Sequence, residues 1–335
     1  MKLLILGGTR FVGRHLVEAA LARGHSVTLF NRGVSNPDLF PTVERLAGDR
    51  DGDLSALEGR RWDAVVDTCG YVPRIVRASA ALLAGAVEHY TFISSISVYP
   101  DTTIYGIDEN APVAALDDPT TEEVNGSTYG ALKALCEQAA EDTMPGRVLN
   151  VRAGLIVGPH DPTDRFTYWP VRINMGGEVM APGKPDMHVQ FVDARDLAAW
   201  IILMAENRKT GVYNATGPAD TLTMQQVLET CQAVTGSGAR LIWVSDDFLL
   251  EQSVTPFTEM PLWIPERYNG LQAINIQKAL ADGLTFRPLA DTIRDTLEWN
   301  TTRGEEDYNN KGLRLRGGMM LEREAALLAA WKERF

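Results

Sequence analysis

Cysteine is scarce in this chain and scattered. Its 335 residues include 3 cysteines, Cys69, Cys136 and Cys231, spaced too widely for a disulfide framework; they indicate a reducing, cytoplasmic setting. The 5 histidines and these cysteines show no metal-ligand spacing, so a metal centre is not expected. Long hydrophobic runs are absent. Nothing is long enough to span a bilayer, and the first apolar stretch is too short for a signal-peptide core. Positive charge is in deficit. With 32 Lys and Arg against 44 Asp and Glu, the net charge of −12 opposes general attraction to nucleic-acid phosphates and leaves only a local basic patch open.

What is abundant is apolar surface, 45% of residues, enough to bury a large core as one α/β domain or two fused lobes. Repeats and low-complexity segments are missing. The informative stretch is N-terminal: Leu3-Leu4-Ile5-Leu6 breaks into Gly7-Gly8-Thr9-Arg10-Phe11-Val12-Gly13, and a helical pattern with Leu16, Val17, Ala20 and Leu21 follows. A strand that turns through glycines into a helix N-terminus cradles phosphate, because the backbone approaches closely and the helix dipole favours negative charge. Glycine turns of this kind are common alone. Here a second strand, Ser26–Phe30, follows at βαβ distance, and Gly7 through Gly13 are expected to bind a dinucleotide.

Apolar runs predict further strands at 64–67, 89–93 and 147–151, and helices at 13–23, 74–86 and 127–142. This alternation predicts a Rossmann-type, doubly wound parallel sheet with helices on both faces. The core is expected over 1–158. After Gly158 the chain fills with Pro, Gly and Trp, and 159–335 is expected to be mainly a smaller substrate-binding lobe. A helix at 193–206 and a strand at 211–215 would return to the core from the segment around 190–217. Residues 255–270, with three prolines and with Phe257, Trp263 and Tyr268, read as a loop or lid. Helices at 289–301 and 322–334 close the chain.

At the end of the second strand, where an acid would hold a ribose 2′-hydroxyl, stand Asn31 and Arg32. A missing carboxylate beside a guanidinium favours a 2′-phosphate, hence NADP over NAD; the other reading is a solvated turn. Asp49 and Arg50 form a candidate adenine-side contact or a bare turn. Cys69 and Gly70, just after the strand at 64–67, allow close approach of a ligand. Tyr129 and Lys133 are spaced to share one helix face. An ammonium beside a phenol would lower the phenol's pKa, so that it can exchange a proton with a carbinol oxygen. Ser94, Ser95 and Ser97 follow at the carboxyl end of the strand at 89–93, and Ser95 can orient a carbonyl.

With glycine loop, serine strand end and Tyr/Lys helix in this order, the chain resembles the short-chain dehydrogenase/reductase superfamily. The likeness is to its extended and atypical branch, the NAD-dependent epimerase/dehydratase type, over roughly residues 1–300. The resemblance implies a catalytic triad of Ser95, Tyr129 and Lys133, with Lys133 also holding the nicotinamide ribose. It implies a homodimer packed through the Tyr/Lys helix, to which Leu132, Leu135, Ala139 and Ala140 would contribute unless the sheet takes them. Two departures narrow the chemistry. Ile96-Ser97 replace the acidic pair of sugar dehydratases, and Gln190-Phe191 lack the Arg expected of nucleotide-sugar enzymes, though Arg287 or Arg294 could substitute.

Tyr168, Trp169, His188, Gln190 and Trp263, with Ser97, are candidates for lining a substrate pocket; packing a loop down is the alternative for the aromatics. Three readings follow. The first is an NAD(P)-dependent oxidoreductase acting on a small carbonyl or alcohol. The second is a sugar epimerase with tightly held cofactor and no net redox change. The third is a non-catalytic member that binds RNA or senses cofactor, which the acidic charge disfavours.

Overall fold

The computed structural model describes residues 1–304, 310 and 312–334. In chain order the first half runs β1 (Lys2–Leu6), α1 (Phe11–Ala22), β2 (Ser26–Asn31), β3 (Glu44–Ala47), β4 (Ala64–Asp67), α2 (Pro73–Leu83), β5 (His89–Ser95), α3 (Tyr129–Thr143) and β6 (Val148–Ala153). The second half continues with β7 (Ile156–Val157), α4 (Tyr168–Asn174), β8 (Glu178–Pro182), β9 (Val192–Asp193), α5 (Ala194–Glu206) and β10 (Gly211–Ala215). It ends with α6 (Met224–Thr235), β11 (Arg240–Val244), α7 (Asp246–Glu251), α8 (Gln277–Ala281), α9 (Leu289–Thr301) and α10 (Leu321–Lys332).

Seven strands form one sheet, ordered β10-β6-β5-β4-β1-β2-β3, with every neighbouring pair parallel. After the exposed Lys2, β1 is uninterruptedly apolar, and its packing shows why. Leu3 and Ile5 pack with α1 and α5 on one face, while Leu4 and Leu6 pack with α2 and α3 on the other. Side chains alternate across a strand, so a strand covered on both faces needs apolar residues at every position. The chain winds outward from β1 to β2 and β3, then returns to β4 on β1's other side. That reversal opens a crevice at the carboxyl ends of β1 and β4, the usual ligand position in such sheets.

Some element ends differ from the sequence expectation. β5 runs on to Ser95 because Ser94 and Ser95 stay in register with Arg152 and Ala153. The Tyr/Lys helix opens at Tyr129 rather than Ser127, since Ser127 and Thr128 donate their backbone N–H groups to the Asn125 side chain in a preceding turn. Residues 255–270 are no free lid: Met260, Leu262 and Trp263 are fully buried. They belong to a second core, shared by α4, α6, α7, α9, α10 and the two-stranded sheet β8–β11. From this half, β10 extends the main sheet beside β6 and α5 packs along α1. Among the described residues no helix is long and apolar enough to cross a membrane.

Candidate active site

The glycine loop is a tight backbone turn at the crevice. Gly7 donates its N–H to Phe30 O at 2.9 Å, and Gly7 and Gly8 adopt φ of +108° and +91°, values that side chains disfavour. Gly13 packs so closely that a Cβ there would lie 2.7 Å from Gly8 N. Arg10, at the N-cap of α1, supplies no side-chain cap, so the first-turn N–H groups face outward and suit an anion. The residues therefore fit a dinucleotide pyrophosphate. Gly13→Ala should push α1 away from the loop and weaken NADPH binding by at least about tenfold, or 1.4 kcal/mol. Fluorescence titration of a variant with an unchanged far-ultraviolet spectrum measures this; undiminished affinity would place the dinucleotide elsewhere.

Around the loop the polar residues divide between ligand and scaffold. Asn31 ties the loop down, donating to Gly7 O and accepting from Gly33 N, each at 2.9 Å. Thr9 is buried and its carbonyl accepts from Asn36 at 2.6 Å. Arg10 and Arg32 are exposed at the rim. Asp49 closes its own turn, accepting from Asp51 N at 3.1 Å. Arg50 departs from its expected place. Its guanidinium turns inward onto Asp67 with both Nη groups and donates to Ser79 at 2.7 Å, because the fully buried Asp67 carboxylate requires a countercharge. Cys69 N–H caps the same carboxylate at 3.1 Å, and burial pushes the Cys69 thiol pKa up.

The Ser/Tyr/Lys set sits beside this crevice. Ser95, at the end of β5, accepts from Ser97 N at 3.1 Å. Burial pushes the Tyr129 phenol pKa up, against smaller lowering by the Ser95 hydroxyl and the Arg165 charge. Lys133 is 3% exposed and donates to Ile93 O at 2.6 Å and Gly70 O at 2.8 Å. Burial lowers its pKa to about 8. The expectation that Lys133 depresses the Tyr129 pKa thus needs correction. The ammonium is engaged by carbonyls at the strand ends, and the phenol answers to Ser95 and to burial. Beneath them, Arg152 pairs with Glu137 at 2.8 Å and donates to Tyr99 at 2.9 Å, fastening β6 to α3.

All three residues open into a cavity of about 510 Å³ that also receives Phe11 and Val12 from the start of α1. Of the expected substrate residues, Ser97 and Gln190 line it, but the Gln190 amide is engaged with Ile274 O and N at 3.1 and 2.9 Å. Tyr168, Trp169 and Trp263 do not. They are fully buried in the second core, where Trp169 donates to Pro261 O and Trp263 to Asp246, each at 2.8 Å. Large apolar rings gain more from that burial than from a wet pocket. His188 lies on a separate surface cavity beside Tyr105. Arg287 is held by Asp196 at 2.8 Å and Arg294 by Asp291 at 2.6 Å, and neither lines the cavity. The walls instead include Asp161, Thr163, Arg165 and Phe257. The polar run directly after Gly158-Pro159 was the available signal for the first three. Leu132, Ala139 and Ala140 are fully buried within the chain, so the sheet takes them and they are not free to face a second copy.

Comparison with known proteins places this arrangement. The profile of the NAD dependent epimerase/dehydratase family matches residues 3–71 and 59–216. The chloroplast stem-loop binding protein of 41 kDa b from Arabidopsis thaliana is 27% identical over 239 residues, 64% of this chain and 58% of its own length. This chain therefore spans little more than half of that relative. UDP-glucuronic acid 4-epimerase from Bacillus cereus, solved in complex with NAD, superposes with a TM-score of 0.64 at 16% identity, over 89% of this chain and 98% of that one. Human epimerase family protein SDR39U1, solved with NADPH, does so with a TM-score of 0.60 at 20% identity, over 89% and 99%. The two structures share the fold.

Proposed function

The chain belongs to the NAD-dependent epimerase/dehydratase family, and from that premise we propose that it is an NAD(P)-dependent oxidoreductase interconverting a carbinol and a carbonyl on a small substrate. The observation that carries this reading is the meeting of the α1 start with Ser95, Tyr129 and Lys133 in one cavity. Ser95 donates to the substrate oxygen and fixes its position. Tyr129 gives that oxygen a proton in the reducing direction and takes one in the oxidising direction. Lys133 has three N–H donors; two are engaged by carbonyls and the third is available to a ribose hydroxyl. A bound nicotinamide dinucleotide would supply the hydride donor or acceptor. The mainly apolar walls exclude water from the reacting carbon.

The engagement of Gln190, Arg287 and Arg294 elsewhere supports a substrate without a nucleotide diphosphate. A net charge of −12 gives no support to stem-loop binding of the kind named for the Arabidopsis relative, nor to RNA binding generally. Arg10 and Arg32 at the rim, with no carboxylate at the end of β2, support NADP over NAD.

Two measurements test the proposal. Denaturing the purified protein and identifying released dinucleotide by mass spectrometry is expected to show substoichiometric cofactor that exchanges freely. Near-stoichiometric retained NAD or NADP would favour in-place regeneration, the epimerase chemistry of the family, instead. Titration is expected to show tighter binding of NADPH than NADH. Arg32→Ala should remove about tenfold of the NADPH affinity and leave NADH unchanged, in line with loss of one charge-assisted contact. Equal losses for both cofactors would reject the NADP assignment.

A further inference from the structure

In the cavity lined by Ser95 and Tyr129, Asp161 and Arg165 carry charges that the carbinol chemistry leaves unused. Asp161 lines the cavity and is 1% exposed. Among the described residues no Lys or Arg lies at ion-pair distance from it; it accepts instead from the Thr163 N–H at 2.8 Å and hydroxyl at 2.7 Å. Burial pushes its pKa up to about 6. A carboxylate held in such a place costs stability, and groups of this kind concentrate where function requires them.

Arg165 lines the same wall. Its Nε donates to the Thr163 hydroxyl at 3.1 Å, and its guanidinium lies 5.7 Å from the Phe257 ring centre. Among the described residues no carboxylate pairs with it and its Nη groups have no acceptor. The neighbours hold it in place. Asp164 is fully buried, takes two bonds from Arg303 at 2.6 and 3.0 Å, and accepts from Arg316 N at 2.8 Å. Phe166 is buried against Phe191 with ring centres 5.0 Å apart. A cation fixed this way has its side-chain ordering already in place before a ligand arrives.

We propose that Arg165 binds a carboxylate of the substrate, so that the carbinol reacting at Tyr129 belongs to a small hydroxy acid, with Asp161 accepting from a further hydroxyl. The planar guanidinium presents paired N–H donors that match a carboxylate. The apolar walls around it, including Ile96, Leu155 and Ile264, strengthen that attraction relative to water. Asp161 acts against a doubly charged group such as phosphate, which would meet a second negative charge on the same wall. This assignment rests on the oxidoreductase reading, which makes the cavity the substrate site.

Isothermal titration of the full chain, alone and with NADPH present, tests it with glycolate, glycolamide and inorganic phosphate. Glycolate, a singly charged hydroxy acid, is expected to bind saturably, and glycolamide, nearly the same size but uncharged, at least tenfold more weakly. Phosphate is expected to bind more weakly than glycolate. Arg165→Gln should lose at least tenfold in glycolate affinity and Arg165→Lys less, with NADPH affinity unchanged in both. Equal binding of glycolate and glycolamide to the unmodified protein overturns the proposal without recourse to any variant. So does undiminished glycolate binding in a folded Arg165→Gln protein, or a preference for phosphate. NADPH binding without glycolate binding rejects this inference and leaves the oxidoreductase reading standing, whereas absence of both rejects both.

Discussion

Tyr129→Phe is expected to reduce turnover by about 10²–10⁴-fold, the range for loss of a positioned acid–base group, while dinucleotide affinity and melting temperature stay close to those of the unmodified protein. The substitution removes one hydroxyl that faces the cavity and keeps the ring. Ser95→Ala should fall in the same direction by less, because the phenol retains its proton. The pH dependence distinguishes the proton's role. Burial raises the Tyr129 pKa, so the phenol is protonated at neutral pH. Carbonyl reduction should then be flat through neutrality and fall at alkaline pH as the phenol ionises. Carbinol oxidation should rise over that alkaline range. Residual activity in Tyr129→Phe should lose both limbs. A variant that keeps full turnover, or keeps the same profile, removes Tyr129 from the chemistry.

Arg50→Met should destabilise the fold by about 3–5 kcal/mol, the usual cost of leaving one member of a buried ion pair without its partner. Asp67 is fully buried and would retain only the Tyr90 hydroxyl at 2.7 Å and the Cys69 N–H at 3.1 Å. Burial by itself would raise the Asp67 pKa, but Arg50 overrides it and holds the carboxyl below the ordinary value of 3.8. A carboxylate with a depressed folded-state pKa contributes stability that is fully present above 3.8 and is lost as pH falls through the folded value. In Arg50→Met the Asp67 carboxyl should instead titrate upward, so that acid neutralises the unpaired buried charge and the stability gap to the unmodified protein narrows as pH falls. Urea melts at several pH values measure both effects. The double variant Arg50→Met/Asp67→Asn should recover part of the loss, since no buried charge remains. A single variant as stable as the unmodified protein would mean that water reaches Asp67. The pair sits where β4 ends below the glycine loop, so its loss should also loosen dinucleotide binding.

Much of the core was legible because its periodicity is local. The interior of a strand in a covered parallel sheet must be apolar on both faces, and Leu3–Leu6 of β1 and 64–66 of β4 read that way residue by residue. Gly7, Gly8 and Gly13 were legible because no other residue tolerates their backbone angles or their 2.7 Å clearance. A further local signature lies outside the expectations above: Thr223 and Gln226 form a capping box that opens α6, and Gly236 closes the helix in a left-handed conformation.

By itself, then, the sequence determined the alternation of strands and helices through most of the first half, the glycine turn, and the presence of Ser95, Tyr129 and Lys133 near one sheet edge. Those features depend on backbone angles and on spacings of a few residues. Only the tertiary structure decided which polar groups remain free for a ligand. Arg50, Gln190 and Arg287 looked available and are engaged by Asp67, Ile274 and Asp196, partners 17, 84 and 91 residues away. Tyr168, Trp169 and Trp263 looked like a pocket and are core, because burial of a large ring outweighs its use at a wet surface. Arg165 drew no notice in the sequence and faces the cavity with its charge unpaired among the described residues. A side chain's partner is set by which segments the fold brings within hydrogen-bond range, and pairing across so many residues leaves no periodic trace in the chain.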